Sequence, residues 1–117
     1  LGGQVRDVLH IADLCELVEE QVRQFKQWEG WLGNVSGGRE QSVSLCELTD
    51  LCRRITGQTT LVEPGGESRA FDMRIFIGDC SRLFERTAWR PRRGIEDVVR
   101  DTFEWVQQNQ SLLQSLN

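Results

Sequence analysis

A short apolar segment, Val5 to Leu9, runs straight into a helical period, and that junction restricts the fold more than any other feature of the sequence. Ile11, Leu14, Cys15, Val18, Val22 and Phe25 recur at i, i+3, i+4, i+7, i+11 and i+14. This spacing puts them on one face of a helix predicted to run to about Trp28. A strand that feeds a helix directly is the half-unit of an α/β fold. The expected class is therefore α/β, or α+β for the chain by itself, with few short strands and three longer amphipathic helices.

The rest of the chain supplies the other two helices. Gly30 breaks the first helix, Leu32 to Val35 reads as a second strand, and Ser36-Gly37-Gly38 as a turn. Ser44-Leu45-Cys46-Glu47 is a capping box, in which a serine hydroxyl and a glutamate carboxylate satisfy each other's orphan amides. The helix it starts carries Leu45, Leu48, Leu51, Cys52 and Ile55 inward and stops at Gly57. Thr59 to Val62 and Met73 to Ile77 are predicted strands on either side of the loop Glu63 to Ser68.

Asp79 or Ser81 caps a short helix through Leu83 and Phe84, which Trp89-Arg90-Pro91 ends, because the residue before a proline is pushed out of the helical region. The last long helix starts near Gly94, with Ile95, Val98, Val99, Phe103 and Val106 on one face, and Leu112, Leu113 and Leu116 extend it or dock as a tail. Neither an internal repeat nor a dividing linker is present, so residues 1–117 read as one domain.

Composition narrows the function. The net charge is −4, which opposes non-specific binding to nucleic acid or to an anionic membrane. With no signal peptide and no apolar run long enough to span a bilayer, a cytoplasmic location is the default expectation. Cys15, Cys46, Cys52 and Cys80 form no metal-binding spacing. They fall on predicted apolar faces or element ends, so reduced core thiols are expected, with disulfides as the alternative.

His10 is the only histidine. At a strand-to-helix junction it reads as a hydrogen-bonded structural residue, because catalysis requires partners placed around it. Asp13, Glu16, Glu19, Glu20, Asp97, Asp101 and Glu104 read mostly as solvated carboxylates on polar helix faces. No catalytic residue and no metal site is expected.

Arginines at element ends remain. Arg6 lies in the first strand, Arg39 follows the Gly-Gly turn, and Arg69 and Asp72 flank a loop entering a later strand. In a layered α/β fold ligands sit where loops leave the strand ends, and a guanidinium there can fork onto phosphate oxygens. Ordinary surface ion pairs are the competing explanation.

Four segments in order, QVRDVLHIADL, NVSGGREQSVSLCEL, RAFDMRIFIGDCSRL and AWRPRRGIEDVVRDTFEWV, resemble the C-terminal third of extended short-chain dehydrogenase/reductases. The nearest likeness is to the NAD-dependent epimerase/dehydratases that act on nucleotide sugars. On this resemblance residues 1–29 correspond to the last strand-helix return of the Rossmann domain and residues 30–117 to the substrate domain. It implies that Arg6 and Arg69 contact the diphosphate of a nucleoside-diphosphate sugar, that Asp72 contacts the nucleoside sugar, and that Arg39 lies close by. It also implies that Trp89 and Trp105 are core.

The sequence departs from the family pattern at Ala12, where an aspartate begins the family's helix, and in a longer glycine-rich loop before Arg69. The family's glycine-rich dinucleotide loop and Tyr-x-x-x-Lys pair have no counterpart. The chain contains no tyrosine, and its sole lysine, Lys26, lies inside the first helix. NAD belongs to the full-length family, and no cofactor is expected on these residues. Beginning at Leu1, the chain fits a piece of a longer protein and equally a trimmed tag. The reading is a nucleotide-sugar-binding portion that is inactive alone and pairs with itself as a homodimer or domain swap through its uncovered apolar face. The alternative is a non-catalytic interaction module without a nucleotide ligand.

Overall fold

The computed structural model describes residues 2–59, 61–63 and 73–115. Its centre is β1 (Val5–Asp7), which pairs antiparallel with β2 (Ser42–Ser44) and parallel with β3 (Ile75–Phe76) in a three-stranded sheet of order β2-β1-β3. Helix α1 (Ile11–Arg23) follows β1, and a short α2 (Phe25–Trp28) continues it after a break at Gln24. Helices α3 (Leu45–Thr56), α4 (Ser81–Arg86), α5 (Ile95–Gln108) and α6 (Gln110–Ser115) complete the chain. Helix and strand are mixed as expected for α/β.

The capping box forms as the sequence predicts. The Glu47 amide donates to the Ser44 hydroxyl at 3.2 Å, and the Ser44 amide donates to the Glu47 carboxylate at 2.9 Å. Gly57 ends α3 in the left-handed region at φ 69°. Gly94 starts α5, where the Asp97 carboxylate accepts its amide at 2.8 Å.

The strands are shorter than predicted. β1 ends at Asp7, and past it the Val8 amide alone prolongs the pairing by donating to the Gln41 carbonyl. Leu32 to Val35 forms no strand: its chain follows the Trp28–Trp31 corner, and the Asn34 amide side chain donates to the Asp79 carbonyl. Ser42–Ser44 takes the pairing position beside β1 instead. Thr59, Leu61 and Val62 are exposed and outside any strand, and β3 keeps only two residues of the predicted Met73 to Ile77.

The buried core comprises Leu17, Cys80, Leu83 and Trp89, flanked by Leu9, Trp28, Trp31, Val35 and Phe84. Trp89 is therefore core as expected. Trp105 is 51% exposed, since α5 meets α3 on another flank and carries the indole outward. No disulfide joins the described cysteines, but Cys15 and Cys46 are exposed rather than core.

Helix α1 departs furthest from its periodicity. The stripe it turns into the molecule contains Asp13 and Leu17, led by the buried His10 at its N-cap. The strongly apolar stripe lies roughly a third of the way round the helix. It stays open, with Val22 69% and Phe25 71% exposed. A sheet of two- and three-residue strands is too small to cover it.

Candidate functional site

The candidate residues gather around β1. Side chains alternate along a strand, so Asp7 and Arg6 leave it on opposite faces. Arg6 is half-buried, stands opposite Val43 on one side and Phe76 on the other, and donates from Nη1 to the Val5 carbonyl at 2.8 Å. Arg39 is exposed and opens a 3-10 turn, Arg39–Gln41, beyond the carboxyl end of β1. Arg6 thus lies in the central strand, and Arg39 in the turn that leads into the neighbouring β2. Arg69 and Asp72 lie outside the described residues; the chain that follows them enters β3 beside Val5, whose amide donates to the Arg74 carbonyl at 2.8 Å.

The strand ends are joined by Asp7. Its Oδ2 accepts the Gly38 amide at 2.9 Å and the Gly78 amide at 3.2 Å. Partial burial works to raise the Asp7 pKa, but the Ser36 hydroxyl and the two glycine amides outweigh it and hold the carboxyl below its ordinary value. At Gly37 and Gly78 the packing leaves no room for a side chain. A Cβ on Gly37 would come within 1.9 Å of the Val8 carbonyl oxygen, and one on Gly78 within 2.2 Å of Ser36 Oγ.

His10 is fully engaged in structure. Its Nδ1 accepts the Ala12 amide at 3.1 Å as the N-cap of α1, which puts the proton of the neutral ring on Nε2, 3.0 Å from the Asp101 carboxylate. The imidazole thereby caps α1. Asp13, expected at the solvent, is instead completely buried and binds the Arg92 and Arg93 amides at 3.0 Å each. Among the described residues no group of His, Cys, Asp and Glu could hold a metal ion, and no helix is long and apolar enough to cross a membrane.

The sequence alone assigned Asp7 no role. The signal that could have found its role was the Gly37-Gly38 pair, because the bare amides of a glycine turn call for an acceptor.

No family model matches the chain. It is 32% identical over 109 residues to CDP-paratose 2-epimerase of Salmonella typhi, a match covering 90% of this chain and 31% of that enzyme. Its fold is similar to that of dTDP-glucose 4,6-dehydratase from Bacillus anthracis, solved in complex with NAD, with a TM-score of 0.71 at 20% identity over 99% of this chain and 35% of that one. The chain is related to one segment of the NAD-dependent epimerase/dehydratases, within the extended short-chain dehydrogenase/reductases. A second solved structure, the enzyme WbmF of Bordetella bronchiseptica in complex with NAD+ and UDP, gives a TM-score of 0.66 at 18% identity over 97% of this chain and 32% of that one. The chain spans about a third of the length of the curated epimerases and dehydratases it matches.

Proposed function

We propose that this chain is the nucleotide-sugar-binding portion of an NAD-dependent epimerase/dehydratase. Arg6 and Arg69 take the diphosphate, Asp72 takes the nucleoside sugar, and Arg39 closes the site from the glycine turn. The similarity to CDP-paratose 2-epimerase over 90% of the chain is the observation that carries this reading. The position of Arg6 in the central strand supports it, because a guanidinium fixed to a sheet presents its fork with little entropy left to lose.

Hydride and proton transfer fall to residues outside these 117, since the chain has neither a tyrosine nor a lysine beside one. The chain is inactive by itself on this reading, and its affinity for a nucleotide sugar is weak. The open stripe of α1 is the surface against which the remainder of an enzyme of the relatives' length would pack. Without that cover, the chain pairs with itself through the same surface as a homodimer or domain swap.

Thermal shift with CDP, UDP and dTDP sugars tests the nucleotide reading. Stabilisation by at least one of them, lost in Arg6→Ala and Arg69→Ala, is the expected result. No stabilisation by any of the three favours an interaction module without a nucleotide ligand.

A further inference from the structure

We infer that Asp7 is a positioning residue for the nucleotide site, a carboxylate that locks the arginine-bearing segments into one geometry. This inference rests on the nucleotide-sugar reading above. Its support is that Asp7 spends its oxygens on loops at the strand ends. The pairing of β1 with β3 stops at Arg6 and Phe76. One residue further, the Asp7 side chain accepts the Gly78 amide and so continues the joint that the backbone has given up. The same oxygen accepts the amide of Gly38.

Gly38 is the N-cap of the 3-10 turn that begins with Arg39, and it stands at φ 70°, a conformation with little intrinsic preference to hold that turn in place. The Asp7 carboxylate therefore ties the base of the Arg39 turn and the exit of β3 to the strand that carries Arg6. Ser36 completes the tie through its hydroxyl, and its Oγ lies 3.2 Å from the buried Cys80 sulfur, which roots the turn in the core. Arg6 on the diphosphate and Arg39 closing the site serve one ligand only if their bases keep a fixed separation, and the Asp7 tie holds it.

The test measures UDP affinity and thermal melting together in the 117-residue chain, for Asp7→Asn, Asp7→Ala and Ser36→Ala. The expected outcome is a loss of UDP affinity of about tenfold or more in the Asp7 variants after correction for folded fraction, with a smaller loss in Ser36→Ala. A lowered melting temperature with undiminished affinity in the folded fraction makes Asp7 merely structural and overturns the inference. If the Asp7 variants do not fold, Ser36→Ala decides: weaker UDP binding supports the inference and unchanged binding overturns it.

If the wild-type chain binds no UDP, the nucleotide reading stands or falls separately by the thermal shift with all three sugars, and amide hydrogen exchange then judges the tie. Faster exchange at Gly38, Gly78 and the Arg39 to Gln41 amides in Ser36→Ala supports it, and unchanged exchange overturns it.

Discussion

Asp13 and Arg93 lie 80 residues apart in sequence and meet at a carboxylate with no exposure to solvent. One Asp13 oxygen accepts the backbone amides of Arg92 and Arg93, and the other accepts the Arg93 guanidinium, which also reaches Glu16 at 2.9 Å. The Asp13 carbonyl takes the Trp89 indole N–H at 3.0 Å. One residue of α1 thus anchors the whole segment between α4 and α5, which lacks regular structure of its own.

Replacing Asp13 with alanine strands two inward-facing amides, so the expected loss is about 2 to 3 kcal/mol of unfolding free energy in a urea titration. Arg93→Ala leaves those amide bonds intact and is expected to cost less. Equal losses from the two substitutions would show that the guanidinium, not the backbone, is what Asp13 holds.

Acid should weaken the fold through the same group. Burial works to raise the Asp13 pKa, but the Arg93 and Arg92 amides and the Arg93 side chain outweigh it, so the folded value lies below the ordinary 3.8. Asp7 is lowered likewise. A carboxyl depressed on folding contributes stability that is fully present above 3.8 and drains away as pH falls through the folded value. Urea midpoints should therefore stay level from neutral pH to about 5 and decline below about 4. Asp13→Asn should have a lower midpoint at neutral pH and a shallower acid decline.

His10 gives a test of capping by imidazole. His10→Ala removes the bond to the Ala12 amide and the link to Asp101, and the expected cost is about 1 kcal/mol. His10→Asn supplies another acceptor suited to an N-cap and should recover most of that loss without the Asp101 contact. If asparagine is no better than alanine in chemical denaturation, the ring's packing rather than its cap is what α1 uses.

The legible parts of the fold are those decided by neighbouring residues. The Ser44 to Glu47 box, the Gly57 stop and the Gly94 start are local chemistry, and each appears where the sequence puts it. Leu32 to Val35 and Ser42–Ser44 went the other way because pairing is decided by what lies beside β1, which no short window of sequence encodes. Asp13 was misread for a related reason: a carboxylate on a helix looks solvated until the distant amides that claim it are known. Of the candidate site, Arg6 and Arg39 could be named from motif and turn, whereas the Asp7 tie needed the folded juxtaposition of Gly38 and Gly78.

The open stripe of α1 supports a final prediction, because stability and association should respond to it separately. Val22 and Phe25 are among its most exposed members, and with Val18, Trp28 and Trp31 they line an apolar hollow. A Val22→Glu/Phe25→Glu pair places charges where water already reaches, so unfolding free energy should change by no more than about 0.5 kcal/mol. The same charges would have to be desolvated in any complex that buries the stripe, which is far more costly. Sedimentation velocity across a concentration series should therefore show self-association in the parent chain and a monomer in the doubly substituted one. A parent chain that stays monomeric at high concentration removes self-pairing through this face, and a substituted chain that associates undiminished moves the contact elsewhere on the molecule.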